Sequence, residues 1–159
     1  MNLSRCASGS GYVPSISMGY PSAESELAML DAHGSSSPLE ELEPVARAED
    51  MRELIAAVRK VHVADALKQY VIKLVTATRS APELRLGASP RATLHLLRAS
   101  RARAALDGRD FVIPDDVQAL ALPVLAHRLL PSAEALVARQ LPEQVLAAIV
   151  GQVPLPQFR

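Results

Sequence analysis

Ser89-Pro90-Arg91-Ala92-Thr93-Leu94-His95-Leu96-Leu97-Arg98-Ala99-Ser100-Arg101-Ala102-Arg103-Ala104-Ala105-Leu106-Asp107-Gly108 carries the start and stop signals of a single helix. Ser89 reads as the N-cap and Pro90 as the first helical residue, which puts Arg91 at the second helical position. Gly108 supplies the left-handed stop. Leu94, Leu97, Ala104 and Ala105 cluster on one side, while Arg91, His95 and Arg98, at i, i+4 and i+7, line another. The arginine is the unusual residue. A helix N-terminus favours anions by roughly 0.3 to 1 kcal/mol through its macrodipole and unpaired N–H groups, so a cation in the first turn is locally mismatched. The mismatch disappears if an external anion such as phosphate sits between the guanidinium and the helix end. The alternative is a solvated surface arginine.

Upstream of this helix, Val63, Leu67, Tyr70, Val71, Leu74 and Thr78 recur at offsets of three and four, and Pro82 marks the exit into a loop carrying Leu84, Leu86 and Gly87. Before them, Met51, Leu54, Ile55, Val58 and Val61 have the spacing of an amphipathic helix that buries one stripe, with antiparallel packing of the two as the simplest arrangement. Ser22 is placed to cap a short helix with Glu24 and Glu26 in its first turn and Leu27, Met29 and Leu30 as apolar contacts. Gly34-Ser35-Ser36-Ser37-Pro38 breaks that helix and opens a linker running to Pro44. Downstream, Pro114-Asp115-Asp116 starts a helix whose acidic first turn suits the dipole. Helical stretches over 132–140 and 142–150 follow, and Pro154 and Pro156 stop any continuation. No useful length alternates with period two. The expectation is an all-α small helical bundle of about five to seven helices over residues 19–159. Residues 1–18, rich in Ser and Gly without either period, read as an irregular or disordered leader.

Composition narrows the function classes. The chain has 159 residues, and 49% hydrophobic content is ample for one core. Seventeen basic and seventeen acidic residues cancel, removing the electrostatic footprint of a protein whose main partner is nucleic acid or an anionic membrane. Aromatic residues are 3% and tryptophan is absent, which argues against base-stacking platforms. No run approaches the ~20 apolar residues of a membrane span, so a soluble, cytoplasmic protein is expected. The single Cys6 cannot form an internal disulfide.

The chemistry-bearing patterns are few. His33, His62, His95 and His127 stand singly, with no His-x-x-x-His pair, so no metal site is expected. Gly9-Ser10-Gly11 is not followed by Gly-Lys-Ser/Thr, and a phosphate-cradling loop for nucleotide hydrolysis is therefore not in view. No serine lies in a glycine-flanked elbow, and no catalytic residue is expected. Arg98, Arg101 and Arg103 are expected to be solvated or paired with residues such as Asp107, Asp110 and Asp115.

From Gly19 onward the chain resembles the C-terminal helical lid of MoxR-type AAA+ ATPases. The matching stretches are Gly19-Tyr20-Pro21, Leu30-Asp31-Ala32-His33, Tyr70 to Arg79, Leu86 to Ala92, Ala102 to Asp110, Pro114 to Val117 and Leu125-Ala126-His127-Arg128. The resemblance implies a lid that packs over ATP and magnesium held by an α/β core and takes part in subunit contacts of a hexameric ring. It implies that Arg91 is the sensor-two arginine, contacting nucleotide phosphates, with His95 and Arg98 as neighbours on the same face. Chaperone-like remodelling follows from it, as do partners with von Willebrand factor A domains. The Walker A and Walker B core expected before Gly19 has no match in residues 1–18, Arg5 included, so the expectation is a lid portion that neither hydrolyses ATP nor binds it tightly alone. The alternative is a free-standing helical module docking on ATPase subunits or client proteins. Arg47 stands where the family usually has a Ser or Thr N-cap.

Overall fold

A computed structural model describes residues 19–33 and 42–157. The leader 1–18 and the Gly/Ser break lie outside the described residues. The helices are α1 (Ala23–His33), α2 (Ala48–Lys60), α3 (Asp65–Ser80), α4 (Pro90–Leu106), α5 (Pro114–Leu125), α6 (Ala133–Val137) and α7 (Pro142–Gln152), with short strands β1 (Leu84–Leu86) and β2 (Leu130–Pro131). The fold is all-α, and the described residues divide along the chain into two compact units, with the boundary after Ile55.

In the first unit, Ser22 caps α1 as its sequence implies: its Oγ accepts from the Ser25 N–H at 3.2 Å. At the start of α2, Arg47 offers no side-chain cap, but its own N–H donates to the Asp50 carboxylate at 2.7 Å, so half of a capping box survives without Ser or Thr. The expected stripe is buried only at its far end, at Val61 just past the helix, with Val58 half-buried. None of the residues of α2 is buried, and Met51, Leu54 and Ile55 face solvent. Periodicity identifies a face that can be buried but does not supply the surface that buries it.

The second unit contains the core. Leu67, Tyr70, Val71, Leu74 and Thr78 of α3 are all buried, as their spacing predicts, and Val75 is buried with them. They join Ala92 and Leu96 of α4, Val117, Ala121 and Leu125 of α5, and Leu146 of α7 in one cluster. α4 packs on α3 and α5, and α7 packs on α3 and α5.

The buried side of α4 matches the expected one in part, with Ala104 buried and Leu97 and Ala105 packed against the core. Leu94 is 54% exposed, and the core-facing row is Ala92, Leu96, Ser100 and Ala104. Three of these four are small, which lets the neighbouring helices approach closely while contributing little hydropathy to the pattern. Ser100 fits because its hydroxyl donates back to the Leu96 carbonyl at 2.9 Å.

Two backbone clips complete the unit. The His62 N–H donates to Asp110 O at 2.7 Å and Val112 N–H to His62 O at 3.0 Å, tying the approach to α3 onto the α4–α5 connection. β1 pairs antiparallel with β2, and Ser132 N–H donates to Glu83 O at 2.8 Å. The loop expected around Leu84 and Leu86 is thus a strand. Its three residues are too few for a legible alternation, and their partner is more than forty residues away. α5 begins at Pro114 with the Asp116 carboxylate accepting from the Ile113 N–H at 2.9 Å. Pro123 then allows only two further helical residues before a 3-10 turn over Ala126–Arg128.

Candidate functional site

The N-terminal turn of α4 is the candidate site, and its position is set from outside the helix. Ser89 occupies the N-cap with extended backbone, yet its side chain makes no cap bond. Pro90 fills the first helical position and has no N–H to satisfy. The preceding residue, Ala88, is buried and held at both polar atoms by α3: its N–H donates to Thr78 Oγ1 at 2.9 Å, and its carbonyl accepts from Arg79 Nε at 2.8 Å. Gly87 lies so close to α3 that a Cβ there would meet the Thr78 carbonyl oxygen at 2.5 Å.

Arg91 and Arg98 are solvent-exposed, whereas His95 between them is only 9% exposed. His95 therefore belongs to the edge of the core, and its pKa is lowered by burial and by the charges of Arg128, Arg91 and Arg98. Both causes disfavour the protonated imidazole. Arg128 reaches this group from the 3-10 turn after α5, and its Nε donates to Val124 O at 3.1 Å. The periodicity of α4 cannot reveal Arg128, which lies thirty residues beyond Arg98 in the chain. The charges of three guanidinium groups thus act on one imidazole, a concentration of positive charge suited to a polyanion.

The remaining basic residues divide as charge pairing dictates. Arg109 grips Asp116 with both nitrogens, at 2.8 and 2.7 Å, and also bonds Asp107 at 2.9 Å. Arg103 approaches Asp116 at 3.5 Å. The acid at the centre is Asp116 rather than Asp110 or Asp115. Among the described residues no group of His, Cys, Asp or Glu has the arrangement to hold a metal ion, and no helix is long and apolar enough to cross a membrane.

Residues 76–149 match the family model of the AAA lid domain. The chain is 37% identical over 153 residues to the chaperone MoxR1 of Mycobacterium tuberculosis, covering 89% of this chain and 40% of that one. It is also 37% identical over 114 residues to the protein MoxR of Paracoccus denitrificans, covering 60% and 32% respectively. This chain matches the lid region of MoxR-type AAA+ ATPases. The lid is further similar to the uncharacterised protein YeaC of Bacillus subtilis, at 40% identity over 144 residues covering 91% of the lid chain and 45% of YeaC. A crystal structure of a candidate ATPase from Cytophaga hutchinsonii superposes with a TM-score of 0.78 at 27% identity, covering 91% of the lid chain and 47% of that one. The lid chain thus spans less than half the length of these relatives.

Proposed function

We propose that the lid presents Arg91 to the phosphates of a nucleotide held by an AAA+ ATPase core, in the manner of a sensor-two arginine. The observation that carries this reading is the exposed Arg91 in the first turn of α4, whose charge acts together with those of Arg98 and Arg128 on His95. A charge-assisted contact of this kind is worth about 1.5 to 3 kcal/mol, enough to bias the angle of a hinged lid toward the nucleotide-bound state. ATP and magnesium are the ligands of the complete enzyme, and hydrolysis belongs to the core. In this reading residues 19–159 act as one lid-like portion, in a cytoplasmic protein. The core or full-length paralogue subunits in a hexameric ring are its partners, with von Willebrand factor A domain proteins as companions in chaperone-like remodelling.

A chimera in which residues 19–159 replace the lid of a MoxR-type ATPase tests the reading. Its ATP turnover is expected to fall about tenfold or more on Arg91→Ala, from loss of that contact. Undiminished turnover refutes the role. A second reading, a free-standing module that docks on ATPase subunits, is favoured by the exposed Met51, Leu54 and Ile55 on α2. Co-elution of the purified chain with a full-length MoxR-type ATPase, abolished by Leu54→Gln with Ile55→Gln, would support it, and independent elution would remove it.

A further inference from the structure

We propose that Thr78 and Arg79 are positioning residues for Arg91, clamping the Ala88 peptide at both its N–H and its carbonyl so that the end of α3 sets the direction of the first turn of α4. The inference rests on the reading of Arg91 as a phosphate contact.

Thr78 is fully buried, and its hydroxyl proton is committed to the Val75 carbonyl at 2.7 Å. A hydroxyl has one proton, so the lone pairs of Oγ1 remain for the Ala88 N–H, which they accept at 2.9 Å. The orientation of the hydroxyl is thereby fixed. Arg79 closes the other half by donating its Nε to the Ala88 carbonyl at 2.8 Å. Gly87 lies flush on the same turn, since a Cβ would come within 2.7 Å of Arg79 Cα.

From the clamped residue to Arg91 there are only three steps along the chain, and one of them is Pro90 with its fixed φ. The Ser89 side chain makes no cap bond that could fix the entry instead. Movement of the α3 end must therefore carry the α4 start with it. A phosphate contact is sensitive to such movement, because a misplacement of about 1 Å can cost orders of magnitude in a positioned interaction.

The test titrates inorganic tripolyphosphate into the full chain at low ionic strength, following amide shifts in the first turn of α4 by NMR together with Tm. Arg79→Met and Thr78→Val are expected to weaken binding about three- to tenfold. Thr78→Ser, which keeps the hydroxyl, should retain affinity even where Tm falls from the lost methyl group. Arg79→Met combined with Arg91→Ala should bind no more weakly than Arg91→Ala alone, because positioning has no effect once the positioned group is gone. Wild-type affinity in Arg79→Met and Thr78→Val, with binding lost in Arg91→Ala, would overturn the clamp and leave the phosphate reading intact. Additive losses in the double variant would also overturn it. The absence of any shift at α4 in the wild type would overturn both.

Discussion

Asp116 is the residue with the most demanding environment in the lid. Its carboxylate is 1% exposed and accepts from both Arg109 nitrogens and the Ile113 N–H. Burial pushes its pKa upward, but the Arg109 and backbone hydrogen bonds and the Arg109 and Arg103 charges outweigh burial and hold it below the ordinary 3.8. The folded state therefore binds this proton less readily than the unfolded chain. The resulting stabilisation is complete above the ordinary carboxylate value and is lost as pH falls below it through the folded value. Urea midpoints followed from about pH 7 to about pH 3 should show this acid limb in the wild type and a flatter one in Asp116→Asn. At neutral pH, Asp116→Ala leaves Arg109 without its main partner, and partial solvent access keeps the expected loss near 2 to 3 kcal/mol by chemical denaturation. Gly87→Ala tests a steric constraint instead. Its Cβ would meet backbone atoms at 2.5 to 2.7 Å, so a loss of about 1 to 3 kcal/mol is expected, visible as a lower Tm.

At the scale of elements, the sequence was most legible where the buried residues were large. All the apolar positions assigned to α3 are buried, and the Pro90, Gly108 and Pro114 boundary signals fall where the helices begin or end. It was least legible where packing depends on small residues or on distant partners. The core-facing row of α4 is mostly Ala and Ser, so Ala92 and Ser100 gave little apolar signal, and of the four residues expected on the core side Leu94 is the exposed one. β1 depends on β2, and the guanidinium group around His95 depends on Arg128, neither of which has a local signature. The expected α4 stripe correctly included Arg91 and Arg98 as exposed residues, but His95 belongs to the core edge. The stripe on α2 gives a prediction of its own. Because Leu54 and Ile55 are exposed, replacing both with Gln should change the stability of the isolated chain by no more than about 0.5 kcal/mol per site in a thermal melt.

For the whole molecule, balanced charge and a local basic group are compatible because part of the basic charge elsewhere is paired. Arg103 and Arg109 share Asp116, and Arg52 pairs with Glu49 on the surface. The basic group on α4 is small, which suits a compact polyanion more than the long backbone of a nucleic acid. The fold supplies the rigidity for that use, with α3 holding the entry to α4 and α5 bringing Arg128 alongside. The most direct test of this account is NMR titration of the chain with inorganic tripolyphosphate at low ionic strength, comparing the wild type with Arg91→Ala. The account requires saturable shifts centred on Arg91, Ala92 and Thr93, with an apparent Kd of about a millimolar, as expected for a few charge-assisted contacts without a core, and their loss in the variant. Shifts that are absent from this turn, or that survive Arg91→Ala unchanged, would contradict it.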